Sequence, residues 1–170
     1  MGAGIGSIDE FFDALAPLLE RRWLLVGVGN ELRGDDGFGP LLARVLKACA
    51  LPALDGGPSP ENVTGPILRE APEVLLLADA ADFGGAPGEL RLVDPADLET
   101  GSGSTHDPGF DLLLDYLGQN REMRVALIAV QPATLEFGAE MTPEVRAAVD
   151  RAARVIANAK DARSSGSTMR

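Results

Sequence analysis

Trp23-Leu24-Leu25-Val26-Gly27-Val28-Gly29-Asn30-Glu31-Leu32-Arg33-Gly34-Asp35-Asp36-Gly37-Phe38-Gly39-Pro40 is the stretch whose reading decides the fold. Its first part, Trp23–Val28, is a continuous apolar run, as expected of a strand buried on both faces. A polar, glycine-rich loop carrying an Asp pair follows. Phe38, Leu41, Leu42, Val45, Leu46 and Cys49 then recur at helical spacing. Buried strand, polar loop and amphipathic helix make the first part of a βαβ unit. Cys49 lies on the apolar stripe and is read as a core residue.

The same alternation extends outward from this stretch. Upstream, residues 1–8 are Gly-rich and read as loose. Ile8, Phe11, Phe12, Leu15, Leu18 and Leu19 then mark one face of a helix, with Asp9, Glu10, Asp13 and Glu20 between them. Pro17 is expected to shorten or kink that helix. Downstream, residues 53–56 suit a short strand, and Ser59-Pro60-Glu61 reads as a cap opening a helix toward Glu70. Residues 74–78 form a second buried strand ending at Asp79, and residues 89–93 alternate like an edge strand. The polar loop 101–109 holds His106, the single histidine, ahead of a helix over 110–120. A third buried strand spans 125–130. Thr142-Pro143-Glu144 opens the last helix, which turns Val145, Val149, Ala152, Val155 and Ile156 inward. No internal repeat is found.

Strands separated by helices predict an α/β three-layer sandwich around a mostly parallel central sheet of about five strands. The expected organisation is a helical N-terminal extension over 1–22, a single α/β domain over 23–160 and a disordered polar tail over 161–170. With 15 Lys+Arg against 26 Asp+Glu among 170 residues, the net charge is −11. One domain suits this length, and it can bury roughly two-thirds of its unfolded surface without a staple. Cys49 is the only cysteine, which excludes a disulfide framework and a cysteine-built zinc site. The acidic balance argues against nucleic acid or an anionic membrane as partner. Trp23–Val28 is far shorter than the ~20 residues of a membrane span. The acidic segment before it lacks the features of a signal peptide, so a cytoplasmic protein without membrane insertion is expected.

In open parallel sheets, ligands bind outside the carboxyl ends of the strands. That rule selects the loops after Val28, Ala78 and Val130. The first loop is no dinucleotide fingerprint. The third glycine of that pattern would fall at Leu32, and an Asp pair would repel a pyrophosphate. Asp35-Asp36 at a helix start can simply complement the helix dipole, Asp79 can be a turn aspartate, and His106 a solvated loop residue. Taken together, two carboxylates and an imidazole compose an oxygen/nitrogen donor set suited to a divalent transition metal with open positions. There is no Gly-x-Ser-x-Gly elbow and no Cys/His pair with plausible geometry, so a covalent nucleophile is not expected.

Several blocks in this order resemble the maturation endopeptidases of nickel–iron hydrogenases. They are Gly-Val-Gly-Asn at 27–30, Gly-Asp-Asp-Gly-Phe-Gly-Pro at 34–40 and Asp-Gly-Gly-Pro-Ser-Pro-Glu-Asn at 55–62. Leu-Leu-Leu-Ala-Asp-Ala-Ala-Asp-Phe-Gly at 75–84, Pro-Gly-Glu at 87–89, Thr-His at 105–106 and Gln-Pro at 131–132 continue the series. The resemblance covers roughly residues 23–158 and leans toward the branch serving membrane-bound, formate-linked hydrogenases. It implies a hydrolase, an aspartyl-type endopeptidase, in which Asp36, Asp79 and His106 form a nickel site and Asp36 and Asp79 are the catalytic candidates. The nickel is carried by the partner, a hydrogenase large-subunit precursor, whose C-terminal extension is removed after nickel insertion. Other divalent metals can occupy such a site. Whether Asp36 or Asp79 activates the water stays open, and Asp35 is equally placed to support a ligand from behind. The segment before Trp23 is longer than the family's usual start, and the polar tail has no counterpart.

Two rival readings use the same residues. In a receiver-type signalling domain, Asp79 would be the phosphoacceptor and Asp35-Asp36 the magnesium-binding pair. Against it, the acidic pair comes several residues after the first strand, and Gln131-Pro132 stands where that fold needs a lysine. In a nonenzymatic metal-binding protein, the same three ligands would hold an ion without cleaving anything. Peptidase activity on a nickel-loaded precursor separates this last reading from the endopeptidase one.

Overall fold

A computed structural model of the chain describes residues 8–94, 108–120 and 122–166. The strands are β1 (Trp23–Val28), β2 (Ala53–Gly57), β3 (Val74–Ala80), β4 (Leu90–Val93) and β5 (Arg124–Val130). The helices are α1 (Ile8–Leu19), α2 (Phe38–Ala48), α3 (Thr64–Glu70), α4 (Pro108–Asn120) and α5 (Pro143–Gly166). Short 3₁₀ turns at Gly34–Gly37 and Pro60–Val63 lead into α2 and α3.

The sheet runs β2-β1-β3-β5-β4. Its first four members are parallel, and β4 pairs antiparallel with β5 at the edge. The apolar runs follow from this position, since a central parallel strand meets helices on both faces. Side chains alternate between the two faces along each strand. Leu25, Leu76, Ala78, Ile128 and Val130 join α1, α2 and α5 in one core cluster. Leu24, Val26, Leu75, Leu77 and Leu127 join Ile67 of α3 and Leu113 and Leu117 of α4 in the other. The expected three-layer sandwich is thus present.

Several local expectations change. Pro17 does not interrupt α1, because it sits in the last turn before the helix ends at Leu19. Ser59 makes no side-chain cap, and the chain passes through the 3₁₀ turn before α3 begins. Cys49 is exposed rather than in the core. Helix α2 ends at Ala48, and Cys49 is its C-cap, turned out of the stripe's phase. Asp79 lies within β3 rather than just beyond it. Helix α5 continues to Gly166, past the domain end expected near residue 160. Phe11, Leu15, Leu18 and Leu19 of the N-terminal helix are buried in the same cluster as α2 and α5.

Candidate active site

Glycine decides how the first loop packs against the sheet. A Cβ on Gly39 would collide with the carbonyl oxygens of Ala78 and Val28, so glycine alone lets the start of α2 rest on the ends of β1 and β3. Gly29 has φ +138, and a Cβ there would strike the backbone of Asp36. The loop therefore folds back, placing Asp36 against the carboxyl end of β1.

The two adjacent aspartates take different roles. Asp35 is fully buried (0% exposed). Its Oδ2 accepts from the N–H groups of Ala133 and Thr134 at 2.8 and 3.1 Å. Its Oδ1 accepts from the N–H and the hydroxyl of Thr142 at 2.7 and 2.9 Å. Asp35 is thus a tertiary clamp between the first loop and residues 133–142, rather than the simple helix-start charge its position suggests. Asp36 is only half-buried, and its Oδ2 accepts from the Asn30 N–H at 2.8 Å.

Asp79 is the penultimate residue of β3, opposite Ala129 of β5, and is half-buried. Its Oδ1 accepts from the N–H of Ala80 at 2.8 Å. By strand alternation it follows Leu75 and Leu77 onto the face covered by α3 and α4. Gly27 pairs with Ala78, so Asp36 and Asp79 both emerge at the carboxyl ends of neighbouring parallel strands. His106 lies outside the described residues. Helix α4, which begins two residues later at Pro108, packs on the face that Asp79 occupies.

In the sequence Gln131 is only part of a motif, and the structure gives it a role. It is the other buried polar side chain of the described core. Its Oε1 accepts from the N–H groups of Phe83 and Gly85 at 2.9 and 3.1 Å, and its Nε2 donates to Asp82 at 3.1 Å. The loop after β3 is therefore held from β5. The Gly84 N–H first, and the Gln131 amide second, keep the Asp82 carboxyl below the ordinary aspartate range. A polar residue directly after a buried strand is the only signal of this in the sequence, and its partners lie about 48 residues away.

On the outer edge, the Arg44 guanidinium bridges Glu31 and Asp55, and Glu31 raises its pKa. These groups are exposed, so the pairs add little stability. Cys49 sits at the far end of α2, about 16 Å of helix from the loop that carries Asp36. The thiol is not part of this rim. The rim offers instead two carboxylates, each accepting from a backbone N–H, at the strand ends outside which ligands of such sheets bind.

The comparisons with known proteins agree with this fold. The model of the hydrogenase maturation protease family HycI matches residues 41–159. The hydrogenase 3 maturation protease of Escherichia coli K12 is 38% identical over 133 residues, covering 75% of this chain and 83% of the relative. HycI of Thermococcus kodakarensis KOD1, a NiFe hydrogenase maturation protease, superposes with a TM-score of 0.76 at 30% identity, over 86% of this chain and 97% of that one. The solution structure of the E. coli endopeptidase HycI gives a TM-score of 0.71 at 34% identity, covering 81% and 90%. These likenesses set aside the receiver-type and nonenzymatic readings. The chain belongs to the hydrogenase maturation protease family and is a hydrolase of the peptidase class.

Proposed function

We propose that this chain is a cytoplasmic endopeptidase that removes the C-terminal extension of a nickel–iron hydrogenase large-subunit precursor after nickel has been inserted. In this reading Asp36, Asp79 and His106 engage the nickel that the precursor carries, and the metal is part of the substrate rather than a resident cofactor. The observation that carries it is the emergence of Asp36 and Asp79 at the carboxyl ends of adjacent parallel strands.

The chemistry asked of the site is peptide hydrolysis. Water adds to the scissile carbonyl, the tetrahedral adduct collapses, and the departing amine leaves with a proton. A carboxylate near the bond accepts the water's proton, and as the resulting carboxylic acid returns one to the amine. Asp36 and Asp79 are the groups available for that task. A divalent ion on the substrate supplies Lewis-acid polarisation and a template for alignment. The remote position of Cys49 and the lack of a serine elbow favour this aspartyl-type route over a covalent one.

The deciding assay follows the gel shift of a nickel-loaded and a nickel-free large-subunit precursor. The loaded precursor is expected to be trimmed and the nickel-free one to stay intact. Asp36→Ala and Asp79→Ala are expected to lose trimming by about a hundredfold or more, the usual scale for an acid–base group. Equal trimming of both precursors, or wild-type rates in both variants, would overturn the proposal.

A further inference from the structure

Leu32 and Phe137 are the most exposed large apolar side chains among the described residues, at 62% and 76%. They come from the loops after β1 and β5, the strands that flank β3. The Gly138 N–H donates to the Leu32 carbonyl at 2.7 Å, which joins the backbone next to Phe137 to that of Leu32. Arg33 Nε donates to the Leu135 carbonyl at 3.2 Å, and the Gly34 N–H to that of Ala139 at 3.1 Å. Leu135 and Met141, on the same loop as Phe137, pack against the core.

This apolar edge is indexed to the reactive rim by a continuous chain of hydrogen bonds. Asp36 Oδ2 accepts from the Asn30 N–H, Asn30 Oδ1 accepts from the Leu32 N–H at 3.0 Å, and the Leu32 carbonyl accepts from Gly138. Buried Asp35 pins the same two loops together. A chain segment seated on Leu32 and Phe137 would therefore lie at a fixed offset from Asp36. The border is acidic on the β5 side, where Glu136 and Glu140 stand on the loop with no basic residue. On the β1 side Glu31 is paired with Arg44 and Arg33 is the one basic residue of its loop, and the net charge is −11 overall.

We propose that Leu32 and Phe137 form the docking patch for a segment of the metal-bearing client that presents apolar side chains beside basic ones. Apolar packing supplies the affinity, and the acidic border selects a positively charged neighbour. This inference rests on the endopeptidase reading above. It names the surface by which the client is aligned with the carboxylates.

The test measures steady-state cleavage of a nickel-loaded large-subunit precursor that the wild-type chain trims. The variants are Leu32→Ser, Phe137→Ser, the two combined, and the pair Glu136→Lys with Glu140→Lys, with Leu112→Ser on α4 as an exposed apolar control. The combined serine variant is expected to raise KM about tenfold with kcat within about twofold, since removing apolar burial equally from the ground and transition states weakens binding alone. The charge variant is expected to raise KM as well, and wild-type KM to rise with salt. The control keeps the wild-type KM. Melting curves show whether each variant is folded, and if the combined one is not, the single variants each raise KM about threefold.

Wild-type KM in folded Leu32→Ser and Phe137→Ser overturns the docking patch. So does a wild-type dimer that the serine variants split without changing KM, because the occupant is then a second copy of this chain. The endopeptidase reading fails separately, if no loaded precursor is trimmed or if Asp36→Ala trims normally.

Discussion

Asp35 and Asp36 are chemically identical neighbours, and their surroundings alone give them different work. Asp35 satisfies its carboxylate with N–H and hydroxyl donors from residues 133, 134 and 142. Removing it leaves those donors unpaired inside the protein. Asp35→Ala is therefore expected to cost roughly 3 kcal/mol of stability, read as a fall in the urea midpoint. Asp36 is half-buried at the loop surface, so Asp36→Ala should change stability by less than about 1 kcal/mol. A larger loss for Asp36 than for Asp35 would reverse these assignments. Asp82 provides the pH test. Its folded pKa lies below its unfolded value through the Gly84 N–H and the Gln131 amide. The associated stabilisation is present above the unfolded pKa and disappears as pH falls through the folded one. In an NMR titration its carboxyl should titrate below the ordinary ~3.9, and Gln131→Ala should move it upward.

The elements are set by patterns of spacing, but their seating depends on single positions. The continuous apolar runs of β1, β3 and β5 and the periodic stripe on α2 are all visible in the sequence. The close approach of α2 to the sheet depends on Gly39, where a Cβ would meet the backbone of Val28 and Ala78. Gly39→Ala should therefore lower stability by about 1–3 kcal/mol and also slow precursor trimming, because the loop carrying Asp36 moves with the helix. Normal melting together with normal trimming would show that the helix accommodates the methyl group. Cys49 marks the limit of spacing arguments. It continues the stripe of α2 by phase, yet the helix stops one residue earlier and turns it outward. Periodicity says which face a residue would take and not where the helix ends.

For the molecule as a whole, α1 is part of the fold rather than an appendage. Phe11, Leu15, Leu18 and Leu19 are buried in the cluster that includes α2, α5 and one face of the sheet. Each such side chain contributes about 1.5–3 kcal/mol, and the sum rivals the ~5–15 kcal/mol net stability of a domain. Removal of residues 1–22 is accordingly expected to leave a chain that melts far lower or aggregates, as circular dichroism on heating would show. A truncated chain with the full-length melting point would make α1 an independent attachment.

The order of strands and helices, the three layers and the candidate rim were legible in the sequence, because burial on two faces forces continuous apolar runs and the carboxyl ends of parallel strands fix where ligands bind. The blocks around Asp36 and Asp79 also pointed to the family. The sequence did not reveal which member of the Asp pair is a clamp, that Gln131 holds the loop after β3, or that the loops bearing Leu32 and Phe137 are hydrogen-bonded to each other. Each depends on partners tens of residues away, with Asp35 meeting Thr142 across 107 positions and Gln131 meeting Phe83 across 48. Local periodicity reports the face a side chain takes. Only the closed tertiary structure decides which distant donor completes a buried carboxylate or amide, since that depends on where separate loops come to rest.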